Sequence, residues 1–309
     1  MMRFFNAAPD GMLELNRPEP GCWVYAVAPS ADELMRLHES LSIPIRFLRA
    51  AIDDEENARI DHEADCTLLM VDMPVVESEG TAFVYSTLPM GIILTDHCVV
   101  TLVTRECSVL NDFFDRRVRG FISSKRARFV IQILARITGK YIAYLKQINK
   151  TASVLESRLI GSMSSTELIQ MFKLEKSLVY FTTSLRGNEA VLERILRQEH
   201  IDKIPEDMGL LEDVIIENRQ AIEMCAVYRD LLSGARNAFS ALTANSSRRL
   251  TRAIVLLVAA VAPCLTAELL WSLMFTPSLP GSPLGFTIIT VVSIGLGGWL
   301  ASYMSRKIK

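Results

Sequence analysis

Two long apolar runs near the C-terminus dominate the pattern of hydrophobic and polar positions. Ala253 to Phe275 has 23 residues with a single charge, Glu268, and Leu284 to Met304 has 21 residues with none. At 1.5 Å per helical residue, each run is long enough to cross the hydrocarbon core of a bilayer. The pattern therefore predicts two transmembrane helices, over 253–275 and 284–304. The alternative is two buried helices of a soluble core, which are seldom this long and this uncharged.

The segment between the two runs is short, and basic residues flank their outer ends. The eight residues 276–283, TPSLPGSP, predict a tight external loop. Arg248, Arg249 and Arg252 precede the first run, and a basic tail, residues 305–309, follows the second. Because basic residues collect on the cytosolic side of membrane helices, both chain ends are expected in the cytosol. The N-terminus lacks the apolar stretch of a signal peptide, and the predicted location is the cell (inner) membrane.

The first 122 residues show shorter patterns that are typical of strands. β-Branched and aromatic residues are concentrated in four runs, 22–27, 66–73, 90–95 and 98–104. Between the first two runs lies the helical stretch SADELMRLHESL, for which Ser30 is the candidate N-cap. Strands interleaved with helices predict a layered α/β domain over 1–122, expected to be cytosolic.

Helical periodicity replaces strand signals from Ser124 onward, and 123–252 is predicted to be a helical stalk. Helices are expected at about 124–160 and 165–198, and a last helix begins near Glu206 with no breaker before the first apolar run. Its seam positions recur at spacings of three and four: Leu211, Val214, Asn218 (a polar exception), Ile222, Cys225, Tyr228, Leu232, Ala235, Phe239 and Leu242. A helix through 206–275 would be about 100 Å long, so it is expected to pack on its own chain and on copies of itself.

Composition and motifs exclude several classes of function. The net charge is -2, which gives no reason to expect a nucleic-acid partner. The six cysteines are far apart and form no C-x-x-C pair, a pattern that favours reduced, buried thiols. There is no P-loop, G-x-G-x-x-G, H-E-x-x-H or nucleophile elbow, and the four histidines have no metal-ligand spacing. We expect no enzyme activity and no tightly bound cofactor.

Three stretches are similar to a known family. FLRAAIDDEENARID (47–61), LEKSLVYFTTSLRGNEAVLE (174–193) and LLEDVIIENRQAIEMCAVYRDLLSGARNAF (210–239), followed by the two-span hairpin, resemble the CorA family of magnesium transporters. The resemblance covers nearly the whole chain and implies an α+β membrane protein, a funnel-shaped homopentamer with a cytosolic α/β domain on long stalk helices. The first span of each subunit would line a central pore, and the second would pack outside it.

The resemblance also exposes a departure at the outer end of the first span. The family signature is Y-G-M-N-F, and the matching residues here are Trp271, Ser272, Leu273, Met274 and Phe275. Magnesium holds its waters tightly and prefers oxygen contacts, so the thioether of Met274 is a poor substitute for the family's Asn amide. The pore positions implied by the resemblance are Ser272, Leu273, Met274, Glu268, Leu265, Ala262, Thr251 and Arg248.

Two charged positions on this path admit more than one interpretation. Arg248 aligns with a pore-lining Asn of the family, and a ring of five Arg side chains would repel a divalent cation in the pore. Alternatively, Arg248, Arg249 and Arg252 form a basic collar that contacts anionic lipid. Glu268 either forms a carboxylate ring that binds a cation or a proton, or is a protonated or hydrogen-bonded residue at a subunit interface.

Acidic residues outside the spans match a regulatory position of the family. Asp213 corresponds to a residue that helps bind regulatory magnesium between subunits, and Asp53 or Asp54 is the expected partner. Carboxylates that meet across an interface repel unless a cation bridges them, so ion binding would favour one closed assembly. The alternative is an ordinary solvated acidic face.

Three functions follow. The leading prediction is CorA-type transport of divalent cations (magnesium, and also cobalt, nickel or zinc), gated by cytosolic divalent ions, with lipid, metal ions and copies of the chain as partners. The second is a non-conducting pentamer that acts as a membrane sensor or scaffold. The third is altered selectivity, for a monovalent ion, a proton or an anion.

Overall fold

A computed structural model of the chain describes residues 1–8, 11–63, 65–79, 82–162, 165–197, 205–274 and 283–307. Side chains at 78, 79, 82, 159–162, 165, 205, 242–250, 252, 264, 267, 268, 270–274, 283–286, 288, 289, 300, 301 and 304–307 lie outside the description. The chain divides into two compact units, Met1–Arg236 and Asn237–Lys309, which we call the first and second unit.

The described elements alternate early in the chain and are helical later. The strands are β1 (Met2–Ala8), β2 (Gly11–Leu15), β3 (Trp23–Val27), β4 (Arg59–Glu63), β5 (Cys66–Glu79), β6 (Ala82–Leu94) and β7 (Val99–Val103). The helices are α1 (Ala31–Leu41), α2 (Ile45–Ala50), α3 (Ser108–Phe114), α4 (Arg126–Ser162), α5 (Ser165–Arg197), α6 (Pro205–Met274) and α7 (Pro283–Lys307).

The described strands form one seven-stranded sheet in the order β2-β1-β3-β7-β6-β5-β4. The long pair β5 and β6 is antiparallel, from Thr67 opposite Leu94 to Glu79 opposite Ala82. The central pair β3 and β7 is parallel, with Trp23 opposite Val99. A parallel pair needs a crossover connection, and the elements from α1 to β6 supply it here.

The four predicted strand runs correspond to β3, β5, β6 and β7, and the predicted helix between the first two is α1. The Ser30 side chain accepts a hydrogen bond from the Glu33 backbone N–H, and the Glu33 carboxylate accepts one from the Ser30 backbone N–H. These reciprocal bonds make a capping box, so the predicted N-cap is confirmed. Strands β1, β2 and β4 were not predicted.

Both faces of the central strands are buried. On one face, Cys22, Val24 and Ala26 pack with α1 and α2 in a cluster that includes Leu37 and Phe47. On the other face, Trp23 is fully buried, and its Nε1 donates a hydrogen bond of 2.9 Å to Thr101 Oγ1. Its aromatic neighbours are Phe5, Tyr25, Phe113, Phe114, Phe121 and Phe129. The sheet is therefore covered by helices on both sides, as the α/β pattern predicted.

Helix α5 is fastened to the sheet through the backbone of Asp72 in β5. The Asn188 side chain donates to the Asp72 carbonyl at 2.7 Å and accepts from the Asp72 N–H at 2.8 Å, as a neighbouring strand would. The Tyr141 hydroxyl of α4 donates to the same carbonyl at 3.2 Å. Burial raises the pKa of the Asp72 carboxyl, although a Ser184 hydrogen bond opposes that shift.

The seam predicted on the last helix is largely buried in the structure. Leu211, Val214, Cys225 and Leu232 are buried on α6, and the remaining described members, Ile222, Tyr228, Ala235 and Phe239, are partly buried. Asn218 is also fully buried, and its Nδ2 donates to the Leu185 carbonyl of α5 at 3.0 Å. The seam is therefore the face that α6 presents to its own chain.

Within the described part of the chain, no helix combines the length and the apolar character that a membrane crossing requires. The predicted spans, 253–275 and 284–304, therefore stay predictions. So do the predicted boundaries of the α/β domain, the stalk, the external loop and the basic tail.

Candidate functional site

Helix α6 carries every predicted pore position. Thr251, Ala262 and Leu265 are exposed in the single chain, with Leu265 at 58%. Spacings of eleven and three residues place these three side chains on one face of a helix. The structure therefore puts three of the predicted pore positions in a common row that is exposed among the described residues of the single chain.

The other predicted pore positions fall where only the backbone is described. Arg248, Glu268, Ser272, Leu273 and Met274 belong to α6, which ends at Met274. Their side chains lie outside the described residues. Their roles stay predictions.

Pro263 interrupts the hydrogen-bond ladder inside α6. Proline has no backbone N–H, so it cannot donate to the carbonyl four residues earlier, that of Ala259. One turn later the Thr266 hydroxyl lies 3.0 Å from both the Ala262 and the Pro263 carbonyls. A Thr hydroxyl that bonds back to the preceding turn favours a bend, so this stretch of α6 has two reasons to depart from a straight helix.

Helices α6 and α7 approach closely within the second unit. A Cβ added to Gly297 would lie 2.5 Å from the Ala260 carbonyl oxygen, whereas one added to Gly295 or Gly298 would meet nothing within 4 Å. Small residues allow the backbones of membrane helices to come together. This contact fixes one point at which the two helices of the predicted hairpin meet.

The predicted regulatory residues occupy two separate elements. Asp53 and Asp54 lie in the turn after α2, Asp213 lies on α6, and all three are exposed. Asp53 Oδ1 accepts a hydrogen bond of 3.0 Å from the Glu55 N–H. Among the described residues of this one chain, no group of three or more His, Cys, Asp or Glu side chains could hold a metal ion. The proposed ligand set therefore stays a prediction about an interface between chains.

Charged pairs between α5 and α6 were not predicted. Arg219 of α6 contacts Glu189 and Glu193 of α5, each at 2.7 Å, and Arg236 contacts Glu175 at 2.8 Å. The pKa of Arg219 is raised, first by the hydrogen bond to Glu189. A partial sequence signal was available, since Glu189 and Glu193 are four residues apart and therefore share one face of α5.

A buried acidic residue near the start of α6 was also missed. Asp207 is 2% exposed, and its Oδ1 lies 3.8 Å from Arg128 Nη1 of α4. That oxygen and Arg128 Nε are buried without a hydrogen-bond partner. The first turn of a helix favours a carboxylate, which is a local reason for an acidic residue at this position.

Comparison with known proteins identifies the family. The family model described as CorA-like Mg2+ transporter protein matches residues 19–306. The chain belongs to the CorA family. CorA proteins are membrane transporters, so membership supports a membrane location and divalent cation transport in general, and it excludes an enzyme.

One characterised CorA protein resembles the chain in sequence. The cobalt/magnesium transport protein CorA of Methanocaldococcus jannaschii is 26% identical over an alignment of 220 residues. The match covers 68% of this chain and 66% of that protein. The match therefore spans just under two thirds of the relative's length.

Two solved structures share the fold over nearly the whole chain. The complete structure of the CorA magnesium transporter from Methanocaldococcus jannaschii has a TM-score of 0.82 at 19% identity and covers 99% of this chain and 97% of that one. The full-length CmaX protein has a TM-score of 0.75 at 13% identity, with the same coverage. At these identities the likeness demonstrates the fold: an α/β domain followed by long helices.

Proposed function

We propose that this chain is one subunit of a homopentameric CorA-type transporter that moves divalent metal cations, magnesium first, across the cell membrane. The observation that carries the proposal is the family match over 19–306, which includes both predicted spans. The relative named as a cobalt/magnesium transport protein supports the choice of cargo. Cobalt, nickel and zinc are further candidates.

Self-assembly is supported by an apolar stripe on α6, defined by Ile216, Val227 and Leu231. These side chains are 64%, 53% and 60% exposed in the single chain. Their spacings of eleven and four residues put them on one face of α6, opposite the buried seam. Exposed apolar side chains that share one helix face are typical of a surface that another subunit covers, although here Gln220 and Glu223 lie between Ile216 and Val227. The proposed occupant is a second copy of this chain.

The proposed ion path follows the face of α6 that carries Thr251, Ala262 and Leu265. In this arrangement the first span lines the pore, the second packs outside it, and both chain ends lie in the cytosol. Arg249 and Arg252 would contact anionic lipid headgroups. The stretch of the path lined by Thr251, Ala262 and Leu265 presents few oxygen ligands, so a strongly hydrated cation would pass that stretch with its water shell intact.

Gating by cytosolic divalent ions is the proposed role of Asp213 with Asp53 and Asp54. Their exposure leaves the carboxylates of one subunit free to face those of the next. A bound cation would remove the repulsion between them and stabilise one arrangement of the subunits.

A second function is favoured by one specific observation, the outer motif. Trp271-Ser272-Leu273-Met274-Phe275 lacks the amide that the family uses at the pore mouth, and Arg248 would place positive charge at the inner end. A non-conducting pentamer, or a pore of altered selectivity, is therefore the competing proposal.

Ion flux separates these proposals. The full chain is reconstituted into proteoliposomes, and magnesium, cobalt, nickel, zinc and chloride are tested separately against protein-free liposomes. Magnesium flux above that background supports the proposed function. A folded oligomer that passes no ion overturns it in favour of the non-conducting pentamer, and chloride flux alone indicates altered selectivity.

Two variants test the pore positions. Met274→Asn combined with Arg248→Asn restores the family's residues and is expected to raise magnesium flux. Arg249→Asn is the matched control, since it removes a neighbouring charge that we assign to lipid contact, and its flux is expected to equal that of the parent. Equal flux in the double variant and the parent would argue against the assigned pore positions.

Assembly and gating have their own tests. Leu231→Glu is expected to lower the oligomer fraction in native mass spectrometry, whereas the conservative Leu231→Met is not.

Millimolar magnesium is expected to raise the melting temperature of the parent and of Glu212→Gln, but not of Asp213→Asn. An equal rise in all three proteins would exclude Asp213 from the regulatory site.

A further inference from the structure

Two cysteine side chains meet inside the first unit. The sulfurs of Cys22 and Cys98 lie 3.2 Å apart, within hydrogen-bonding distance, although the residues are 76 positions apart in the chain. Their exposed fractions are 0% and 1%. Both residues are free thiols, and the other described cysteines, Cys66, Cys107 and Cys225, have no cysteine partner of this kind.

Two tight turns and the parallel strand pair bring these thiols together. Cys22 closes a turn through its N–H bond to the Glu19 carbonyl, and Cys98 closes another through its N–H bond to Thr95 Oγ1. Each cysteine directly precedes a strand, and the register of β3 with β7 starts at the next residue, with Trp23 opposite Val99. The Val99 N–H donates to the Cys22 carbonyl at 3.2 Å, which extends that register to the cysteines.

The pair differs chemically from the isolated thiols of the same chain. Burial raises the pKa of Cys107 and of Cys225 to about 11. In the pair, the hydrogen bond between the sulfurs lowers the pKa of Cys22 to about 7 and raises that of Cys98. One thiolate stabilised by a neighbouring thiol resembles a low-pKa cysteine beside a resolving cysteine, with the difference that both residues are buried here.

We propose that Cys22 and Cys98 form an oxidisable dithiol site that hydrogen peroxide converts to an intramolecular disulfide. The Cys22 thiolate attacks one peroxide oxygen, the O–O bond breaks, and a sulfenic acid and hydroxide form. The hydroxide takes up the proton that the Cys22 thiol released and becomes water. The Cys98 sulfur then attacks the sulfenic sulfur, its proton leaves with the hydroxyl as a second water, and the S–S bond forms. Two thiols lose two electrons in total, and one peroxide gains them.

The backbone geometry permits this bond. Paired residues on neighbouring strands lie about 4.8 Å apart, which is inside the Cα–Cα range of about 4.4–6.8 Å for disulfides. The sulfurs need to approach by about 1 Å, since a disulfide bond is about 2.05 Å long. Exposed residues Glu19, Asp96 and His97 lie beside the pair in the two turns, so a water-sized oxidant has only a short distance to travel.

This cross-link would join β3 to β7, the parallel pair at the centre of the sheet. A disulfide stabilises chiefly by restricting the unfolded chain, and more so when the closed loop is long. The pair is therefore a modification site whose oxidation would stiffen the first unit. This proposal does not depend on whether the chain transports ions.

The test uses the full chain in detergent, first reduced and then treated with hydrogen peroxide. The reduced protein has six titratable thiols after denaturation. Oxidation is expected to leave four, to lower the intact mass by about 2 Da, and to raise the melting temperature. Peptide mapping without reduction is expected to recover the Cys22 peptide joined to the Cys98 peptide.

Matched variants assign the bond. Cys22→Ser starts with five thiols and should keep five. Cys98→Ser also starts with five and should lose at most the thiol of Cys22, without forming a disulfide, whereas Cys66→Ser should fall from five to three. Loss of two thiols in Cys22→Ser, or an oxidised parent with other cysteine peptides joined, would overturn the proposal. Addition of oxygen to Cys22 without the 2 Da loss would overturn it as well. The peptide map of the parent decides the question even if a variant fails to fold.

Discussion

The two units differ in how far they bury their apolar side chains. In the first unit, Trp23, Phe129 and Phe181 are at most 1% exposed. In the second unit, Leu257, Leu269 and Val291 are 66%, 63% and 68% exposed. The first unit closes a core of its own, whereas these three described side chains of the second stay largely exposed in a single chain. Under the proposed function, lipid and neighbouring subunits cover them.

Glycine permits a close approach in each unit, and the two sites form a natural comparison. A Cβ at Gly91 of β6 would lie 2.3 Å from the Ala51 Cβ, at the end of α2. A Cβ at Gly297 of α7 would lie 2.5 Å from the Ala260 carbonyl oxygen. The first contact lies inside a closed core, and the second lies between two helices only. The same substitution should therefore cost more in the first unit.

Gly91→Ala should have the largest effect. The added methyl group overlaps a buried side chain, and Ala51 and Met70 around it are fully buried and cannot move aside. We expect the free energy of unfolding to fall by about 1–3 kcal/mol, the usual range for overpacking. Thermal unfolding followed by circular dichroism measures the change. The control is Gly139→Ala in α4, where a Cβ meets nothing within 4 Å. An unchanged melting temperature for Gly91→Ala would contradict the close packing of α2 on β6.

Gly297→Ala should have a smaller effect. The methyl group would push α7 away from the Ala260 backbone, at an overpacking cost of about 1–3 kcal/mol. Alanine recovers about 1 kcal/mol of helix propensity, so part of the loss is offset. Gly298→Ala gains the same propensity without the contact and should be neutral or stabilising. Thermal melting of the full chain in detergent compares the two variants. Equal melting temperatures would show that α6 and α7 do not touch at Gly297.

Asp72→Asn should have the smallest effect, and its size should depend on pH. Burial raises the pKa of Asp72 in the folded state, so the native protein holds this proton more tightly than the unfolded chain. The pKa of the carboxyl in the unfolded chain is about 3.9. As pH rises above that value and through the raised folded pKa, the wild-type protein loses stability relative to the Asn variant. Melting temperatures of both proteins across pH 4–8 measure this difference, and a constant gap would contradict the desolvated carboxyl.

The elements that could be predicted from sequence are those with strong local signals. β7 is a continuous apolar run buried on both faces, and α1 carries its capping box within four residues. Two of the three missed strands have weak local patterns: β2 is half-exposed, and β4 reads RIDHE. Such strands form because a partner strand offers hydrogen bonds, and no local window contains that information.

The candidate sites divide in the same way. The shared helix face of Thr251, Ala262 and Leu265, three predicted pore positions, follows from helical periodicity, which any helix imposes on its residues. Asn218 was visible only as a polar exception in an apolar seam, whereas the structure shows that it bonds the Leu185 carbonyl of α5. The first turn of α6 favours an acidic residue at Asp207, but its pairing with Arg128 could not be predicted locally, because the two residues are 79 positions apart on different helices.

Local pattern settled where this chain is helical, which runs are apolar enough to be predicted spans, and which family its helices resemble. Those properties depend on residues within a few turns of one another, so they can be read along the chain. Folding in three dimensions decided the strand order, the glycine contacts and the meeting of Cys22 with Cys98. Each of these features depends on which segments, distant in the sequence, pack against one another. That packing is a property of the whole folded unit.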